Sequence, residues 1–314
     1  MATQERPRHS RKVLARSPEQ ARTLPSWIYT DSDLLVRERE TIFRRNWSFV
    51  GHVSDARDGR VATGWIDDCP IRFWREPSGG IAGERIDGTA PSKLRLCVLS
   101  GLVFANLDNG ADDLESLTPE FGPSLIDFVP RIEELVLCHQ IRHEVACNWK
   151  VLIENSLECY HCEPCHPGFS DDVDMATYRS ESDGVLTMHT GMQRGSDTPF
   201  RYWYLWPLTE IDANPGEKPQ LSIYTREALG AGRFAMIGHF YRLPGDIPDA
   251  QEIAQMESND TLLEDYAICE SVQRGLGSRG YGRGRFIVDR ERSHISEHSV
   301  HHFQLLVADA LDLR

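Results

Sequence analysis

Two histidines five residues apart, His161 and His166, set a geometric condition that the fold of this chain has to meet. Glu158 precedes them, so the segment reads Glu-x-x-His and then a second histidine. Two imidazoles and one distant carboxylate can hold Fe(II) on one face of its octahedron and leave the other positions open. The segment therefore predicts a mononuclear iron centre, Fe(2+), with both histidines brought to one point.

The chain around this segment is predicted to form a helix that ends between the two histidines. Asn148 is a good N-cap for a helix over residues 149–161, which would close with His161 on its inner face. Five further residues of helix would turn His166 about 140° away from that face. Pro164 is expected to end the helix and let the chain fold back, because proline disrupts a helix interior.

The third ligand has to come from a distant part of the chain. Asp265 is the preferred candidate, inside a long helix predicted over residues 250–275, and Asp260 and Glu264 are the alternatives. An acidic residue on an otherwise apolar helical face needs a partner, and a metal ion can be that partner. Two residues of the first helix are candidates for hydrogen-bonding support around the ligands: Asn148 and Glu154.

Three other interpretations of these residues stay open. The histidines can be purely structural. The cysteines and histidines in and before the segment can also form a zinc site, although their spacing does not follow the usual two-plus-two pattern. These residues are Cys138, His139, His143, Cys147, Cys159, His161, Cys162, Cys165 and His166. Finally, Cys162-x-x-Cys165-His166 matches a c-type haem attachment site, which would leave Glu158 and His161 without a role.

The composition excludes several kinds of partner and location. The 314 residues carry a net charge of −14, and such a surface repels nucleic acid and anionic membranes. The sequence has no apolar run of about 18 residues that could form a membrane helix. The basic N-terminal stretch is not followed by the apolar core of a secretory signal. We therefore expect a cytoplasmic protein whose eight cysteines stay reduced.

Periodicity and turn residues predict an α+β chain in three parts. Residues 1–46 form an N-terminal arm and helix, residues 47–110 a small β unit, and residues 111–314 a larger unit that holds the iron site. Helices are predicted over residues 31–46, 149–161, 250–275 and 296–312. Strands are predicted over residues 47–53, 61–66, 71–74, 94–99, 102–107, 134–147, 184–192, 201–207, 219–225 and 233–242. Residues 76–93 and 275–285 are expected to be loops, and residues 108–123 a linker.

Two further groups of residues are candidates for binding. Tyr202, Tyr204 and Trp206 alternate on one face of a predicted strand and could hold an ammonium group by cation–π attraction, worth roughly 0.5–2 kcal/mol per ring. Aromatic residues on a strand more often build core. A basic loop can bind a substrate carboxylate, dock an acidic reductase or remain solvated: Arg279, Arg283 and Arg285.

Together, these segments resemble the catalytic alpha subunits of Rieske-type non-haem iron oxygenases, the ring-hydroxylating oxygenase family. The residues that carry the resemblance are 47–52, 101–107, 148–166, Asp265 and 269–276. The chain is more similar to the branch that acts on glycine betaine, carnitine, choline and stachydrine. The residues that carry this likeness are 278–281, 284–285 and 301–303, together with the glutamate at position 158.

The resemblance implies a fold and a role for each site residue. It implies a helix-grip (START/SRPBCC-like) catalytic domain, in which a curved antiparallel sheet surrounds a long helix. It also implies that His161, His166 and Asp265 bind the iron. Glu158 matches the carboxylate that relays electrons to this iron from the iron–sulfur cluster of a neighbouring subunit.

The chain departs from this family where the Rieske cluster should lie. A Rieske [2Fe–2S] cluster needs two cysteines and two histidines. In the family these ligands fall between the strands that here end near Trp74 and begin near Phe104, yet this interval holds only Cys97 and no histidine. We predict no [2Fe–2S] cluster on this chain and a truncated Rieske-like β unit over residues 47–110.

We therefore expect an Fe(II)-dependent mono- or dioxygenase that uses O2 to hydroxylate a small substrate. An N-methyl or quaternary amine is a candidate, since its hydroxylation leads to oxidative N-demethylation. Electrons would come from a ferredoxin or reductase, or from a cluster-bearing oxygenase chain, and the resemblance implies a homotrimer. The alternative is a non-catalytic binding or regulatory subunit, or an inactive truncated oxygenase.

Overall fold

The computed structural model describes residues 13–86 and 92–313. Runs of helices are separated by runs of strands, and the strand pairs in these residues are antiparallel, which confirms the α+β class. The helices are α1 (Trp27–Thr30), α2 (Ser32–Thr41), α3 (Leu114–Leu117), α4 (Phe121–Phe128), α5 (Trp149–Ser156), α6 (Cys162–Cys165), α7 (Pro167–Asp172), α8 (Ala250–Glu257), α9 (Asp260–Leu276) and α10 (His298–Ala310). The strands are β1 (Ser48–His52), β2 (Val61–Ile66), β3 (Cys69–Arg75), β4 (Ile81–Arg85), β5 (Ser92–Lys93), β6 (Arg95–Leu99), β7 (Leu102–Asn106), β8 (Val136–Val145), β9 (Arg179–Asp183), β10 (Leu186–Met192), β11 (Pro199–Leu205), β12 (Thr209–Asn214), β13 (Gln220–Gly230) and β14 (Arg233–Arg242).

The strands between residues 136 and 242 form a seven-stranded sheet in the order β8-β14-β13-β12-β11-β10-β9. Successive side chains along a strand point to opposite faces. One face carries a row of apolar residues that packs against α4: Trp203, Ile211 and Ile223. On the other face Tyr204 and Tyr224 pack in a second core with residues of α5, α9 and α10. The sheet thus separates two cores, and the second contains the helices that carry the site.

The strands predicted within residues 47–107 are present, in sheets of the order β1-β7-β6 and β2-β3-β4-β5. The prediction of a loop over residues 76–93 is wrong for β4, whose backbone pairs with β3. Residues 87–91 lie outside the described residues. The predicted linker over residues 108–123 is also wrong, because α3 and the start of α4 lie there and bury Leu114 and Phe121.

The second half of the chain differs from its predicted elements in three places. The long helix over residues 250–275 is two helices, because the Asn259 side chain accepts a hydrogen bond from the Leu262 N–H and begins α9. Strand β12 was not predicted. The predicted strand over residues 184–192 is present as β10, but the preceding β9, which pairs with it across a turn at Gly184 where φ is 52°, was not predicted.

The described part of the predicted N-terminal arm, residues 13–25, packs on the body of the protein. The Val13 N–H donates to the Leu313 carbonyl over 2.9 Å, and Leu24 is buried. Arg283 donates to the carbonyls of residues 13, 22 and 23, and Arg285 donates to that of residue 20. These two arginines hold the N-terminal segment, a structural role that was not predicted, although Arg285 is exposed as expected for a solvated loop.

None of the helices in the described residues has both the length and the apolar character needed to cross a bilayer.

Candidate metal centre

The segment that holds the two histidines leaves its helix earlier than predicted. Helix α5 ends at Ser156, and the backbone N–H groups of Tyr160 and His161 donate to the Glu158 carboxylate instead of to helical carbonyls. This side chain therefore competes with the helix for its hydrogen bonds. The predicted start of the helix after Asn148 is confirmed, but the prediction is wrong for residues 157–161 and for Pro164, which lies within α6 and does not end the first helix.

The fold nevertheless brings the three predicted ligands together. One ligand atom from each of His161, His166 and Asp265 lies within 4.8 Å of the other two. His166 Nε2 is 2.9 Å from Asp265 Oδ1, and His161 Nε2 is 3.3 Å from the same oxygen. His161 caps α6 and His166 follows it, while Asp265 projects from α9.

Each predicted ligand is held by a second polar side chain. Glu158 Oε1 lies 2.6 Å from His161 Nδ1, and Glu264 Oε2 lies 2.7 Å from His166 Nδ1. Because a carboxylate only accepts, each Nδ1 carries a proton, so each Nε2, which faces Asp265, is the atom that a metal ion can bind once its own proton leaves. Glu264, an alternative third ligand in the sequence analysis, thus occupies an orienting position instead.

Asn155 is a site residue that the sequence analysis missed. Its Nδ2 donates to Asp265 Oδ1 over 2.6 Å and lies 3.3 Å from His161 Nε2. Asn155 lies on the last turn of α5. Its position shortly before the Glu-x-x-His pattern is the sequence feature that could have identified it. Asn148 instead caps α5 and bonds to Ala231, and Glu154 bonds to Tyr29, so neither supports the ligands directly.

The electrostatics of the centre favour a bound cation. Burial alone would lower the pKa of His161, but hydrogen bonds and charge from Asp265 and Glu158 raise it to about 10. Burial would raise the pKa of Asp265, yet its bonds to the two histidines lower it. The three acidic side chains of the centre, Glu158, Glu264 and Asp265, outnumber its two imidazoles. Two nitrogen donors and one oxygen donor suit Fe(II), so this donor set fits the metal that the family implies.

The cysteines near the centre do not form the alternative metal sites. Cys159 and Cys162 form a disulfide, with a Cα–Cα distance of 4.9 Å, because the turn after Glu158 brings them together. The prediction that all eight cysteines stay reduced is therefore wrong for this pair. Cys162 is consequently not free to join a zinc site or to attach haem. Across residues 13–86 and 92–313, His161, His166 and Asp265 are the one group of three such side chains close enough to share an ion.

A cavity of about 220 Å³ opens beside the three residues, which line it. Of the aromatic residues predicted to bind substrate, Tyr202 lines this cavity. Tyr204 and Trp206 instead lie in the core with Trp149 and Phe303, and the Tyr204 hydroxyl donates to the Pro207 carbonyl. Further cavity walls come from α7, the segment after it, β11, β12 and β13: Phe169, Tyr178, Phe200, Glu210, Asp212 and Tyr224.

Glu154 makes the stability of the protein depend on pH. Burial raises the pKa of this carboxyl from 4.5 to about 7, so the fold favours its neutral form. Its contribution is fully present below pH 4.5 and is lost as the pH rises through 7, by up to about 3 kcal/mol. We expect Glu154→Gln to remove this loss, measured as the free energy of urea unfolding at pH 5 and pH 8.5. The exposed control Glu181→Gln should keep the wild-type slope, and an unchanged slope in Glu154→Gln would contradict the assignment.

Comparison with known protein families identifies the class of this protein. The family described as ring hydroxylating alpha subunit (catalytic domain) matches residues 132–313, more than half of the chain. The chain belongs to this family. The prediction of a Rieske-type non-haem iron oxygenase alpha subunit, an enzyme family that uses mononuclear iron in its catalytic domain, is therefore confirmed at the level of the family.

The chain is similar throughout its length to oxygenases named for quaternary amines. It is 29% identical to the carnitine monooxygenase oxygenase subunit of Acinetobacter pittii (strain PHEA-2), covering 93% of this chain and 95% of that one. It is 25% identical to chloroplastic choline monooxygenase of Arabidopsis thaliana, covering 94% and 84%. The structure of the quaternary ammonium Rieske monooxygenase CntA in complex with L-carnitine superposes with a TM-score of 0.82 at 26% identity, covering 96% and 98%.

These relatives also contain residues that this chain lacks. The alignment with the Acinetobacter protein runs over 354 positions, which exceeds the 314 residues of this chain by 40. At least 40 positions of the relative therefore have no counterpart here. A shortened segment is consistent with the absence of histidine between Trp74 and Phe104.

Proposed function

We propose that this chain is the iron-bearing subunit of an oxygenase that hydroxylates an N-methyl group of a small amine. The observation that carries the proposal is the convergence of His161, His166 and Asp265 within 4.8 Å, at the wall of an aromatic cavity. The names of the similar proteins, which refer to carnitine, choline and quaternary ammonium, support an amine substrate.

The residues around the centre have distinct roles in this proposal. His161 Nε2, His166 Nε2 and Asp265 would hold Fe(II), which supplies the activation of O2 when it is bound. Glu158 and Glu264 keep the Nδ1 protons in place and so fix the orientation of both imidazoles. Asn155 holds Asp265 in position from α5.

The cavity walls would bind the substrate and exclude water. Aromatic rings on β11 and β13, such as Tyr202 and Tyr224, offer faces for an ammonium group. Insertion of one oxygen atom of O2 into an N-methyl C–H bond gives a hemiaminal, and two electrons and two protons reduce the other atom to water. The hemiaminal then breaks its C–N bond and releases formaldehyde and the demethylated amine.

The electrons would come from another chain. The interval that carries the cluster in the family has no histidine here, and inter-subunit electron transfer is described for the structure of a similar quaternary ammonium monooxygenase. Glu158 is the proposed entry point, since its carboxylate contacts His161. A ferredoxin, a reductase or a cluster-bearing oxygenase chain would be the donor, within a homotrimer in the cytoplasm.

Two structural predictions belong to the same proposal. We assign the seven-stranded sheet with its packed helices to the helix-grip class, because an antiparallel sheet faces the long helices α9 and α10. We also keep the division into an arm and helix over residues 1–46, a truncated Rieske-like unit over residues 47–110 and a catalytic unit over residues 111–314.

A second candidate function is a non-catalytic binding or regulatory subunit. The missing cluster ligands favour it, because the iron could then receive no electrons from its own chain. This subunit would keep the cavity and would assemble with an intact oxygenase chain.

Turnover with an external donor distinguishes the two functions. The Fe(II)-loaded protein is incubated with O2, NADH, a [2Fe–2S] ferredoxin and its reductase, and N-methyl amines. The proposal predicts formaldehyde and O2 consumption that depend on the amine, and their loss in His161→Ala. Iron binding without any turnover, together with stable binding of an intact oxygenase chain, would support the second function instead.

A further inference from the structure

We infer that the cavity beside the metal centre selects organic cations that carry no anionic group, and that Asp212 sets this preference. The inference rests on the proposed function and deepens it, because it specifies the net charge of the substrate. Its basis is the distribution of charged side chains along the cavity walls.

Strand β12 presents two carboxylates to the cavity. Glu210 lies between Tyr204 and Tyr224 on the neighbouring strands, and Asp212 lies between Tyr202 and Ser222. Because the two residues are two positions apart, their side chains point to the same face of the sheet. That face lines the cavity, whereas the intervening Ile211 is buried in the opposite core.

The charge of Glu210 is already compensated within the protein. Its carboxylate pairs with Arg226 and accepts a hydrogen bond from the Tyr202 hydroxyl. The Arg226 side chain is completely buried and does not line the cavity. Arg226 is therefore committed to Glu210 and cannot reach a substrate without leaving this pair.

Asp212 has no such compensation. Among residues 13–86 and 92–313, no lysine, arginine or histidine forms an ion pair with its carboxylate. Burial raises its pKa to about 6, and the backbone N–H of Ala213 opposes this increase. At neutral pH most of the population is thus an unpaired carboxylate at the cavity wall. A ligand cation would relieve the unfavourable desolvation of that charge.

Apart from the metal centre itself, the described walls of this cavity offer no cationic side chain to an anionic group. No lysine or arginine is among the described residues that line this cavity. A second depression shares Asp212, Tyr224 and Asn259 with it and contains Arg242. However, Arg242 donates to Gln220 and to Glu252, so its charge is already neutralised.

These charges predict opposite effects on two ligands of similar shape. Choline and glycine betaine share the trimethylammonium group, but glycine betaine adds a carboxylate that would approach Glu210 or Asp212. An opposite charge near an incompletely solvated carboxylate strengthens binding, and a like charge weakens it. We expect choline to bind at least about tenfold more tightly than glycine betaine or L-carnitine, which corresponds to a difference of one decade in Kd.

Isothermal titration calorimetry measures these affinities directly. The ligands are choline, its neutral isostere 3,3-dimethylbutan-1-ol, glycine betaine and L-carnitine, each titrated into the iron-loaded protein. Asp212→Asn should weaken choline binding, and so reduce its advantage over the neutral isostere, while the affinity for the isostere itself stays unchanged. The matched control is Asp183→Asn, an exposed carboxylate on β9 of the same sheet, which should keep the preference.

A second variant tests the charge effect in the opposite direction. Asn214 is exposed at the end of β12, on the same face as Asp212, and lines the second depression described above. Asn214→Lys introduces a cation there, and it should weaken choline and strengthen L-carnitine binding. Because this variant gains a function, misfolding cannot imitate its expected result.

The outcomes separate this inference from the proposed function. Three results would overturn the inference even if the iron centre is intact. They are tighter binding of either zwitterion than of choline, equal binding of choline and its neutral isostere, and no binding of any ligand. Choline binding that persists in the His161→Ala variant, which lacks iron in the proposed function, would support it independently of oxygenase activity.

Discussion

Replacement of Asp265 by alanine is expected to remove the iron from the protein. Asp265 is the only carboxylate of the predicted triad, and both imidazoles lie within 3.3 Å of its Oδ1. Loss of a residue that merely supports a metal ligand typically lowers metal affinity by about 10–100-fold, so loss of a ligand should exceed 100-fold. Iron retained after gel filtration, measured by mass spectrometry, should fall from about one atom per chain to a small fraction.

Two variants of the same helix serve as controls for this result. Asp260, on the first turn of α9, is exposed, and Asp260→Ala should retain the iron. Glu264→Gln should lower the affinity by an intermediate 10–100-fold, because Glu264 orients His166 without belonging to the triad. Full iron content in Asp265→Ala would show that the third ligand has been assigned wrongly.

Replacement of Glu38 by glutamine is expected to destabilise the whole fold. Lys150 forms an ion pair with Glu38, and their side chains are 0% and 2% exposed. Trp149 Nε1 also donates to Glu38, and burial already lowers the pKa of Lys150. Removal of one partner of a buried ion pair typically costs about 3–5 kcal/mol, because the other charge remains unpaired.

The measurement is the free energy of urea unfolding of the single and double variants. Glu38→Gln combined with Lys150→Met should recover most of the loss, since no buried charge then lacks a partner. Glu40→Gln changes an exposed carboxylate of the same helix and should shift the value by less than about 0.5 kcal/mol. Equal losses in the single and double variants would show that the ion pair is not the cause.

This buried pair also connects the N-terminal region with the metal centre. Glu38 belongs to α2 and Lys150 to α5, the helix that leads into the histidine segment. A destabilising change in α2 is therefore expected to destabilise α5 as well, just before the histidine segment begins.

The grouping of His161, His166 and Asp265 could be predicted because residue types and local spacing are written in the sequence. Glu158 was predicted as an electron relay, and its contact with His161 was not foreseen. The early end of α5 could not be predicted, since it depends on the Glu158 side chain taking backbone hydrogen bonds. The burial of Lys150 could not be predicted either, because its partner Glu38 is 112 positions away.

The cavity walls were less predictable than the ligands. Alternation within one strand placed Tyr202, Tyr204 and Trp206 together, but the helices packed on the sheet decide which of them meets the cavity. Strand β12 was missed because a short segment of mixed polarity carries a weak strand pattern. Asp212 lies on that strand, so the residue that defines the proposed charge preference could not be identified from the sequence.

X-ray absorption at the iron edge of the protein purified without oxygen is the most direct test of the central claim. Our account predicts about one iron atom per chain, surrounded by nitrogen and oxygen with no sulfur ligand, and no visible absorption of a [2Fe–2S] centre. Sulfur in the first coordination shell, or a protein that binds no iron while it remains folded, would contradict the assignment of His161, His166 and Asp265 as the ligands.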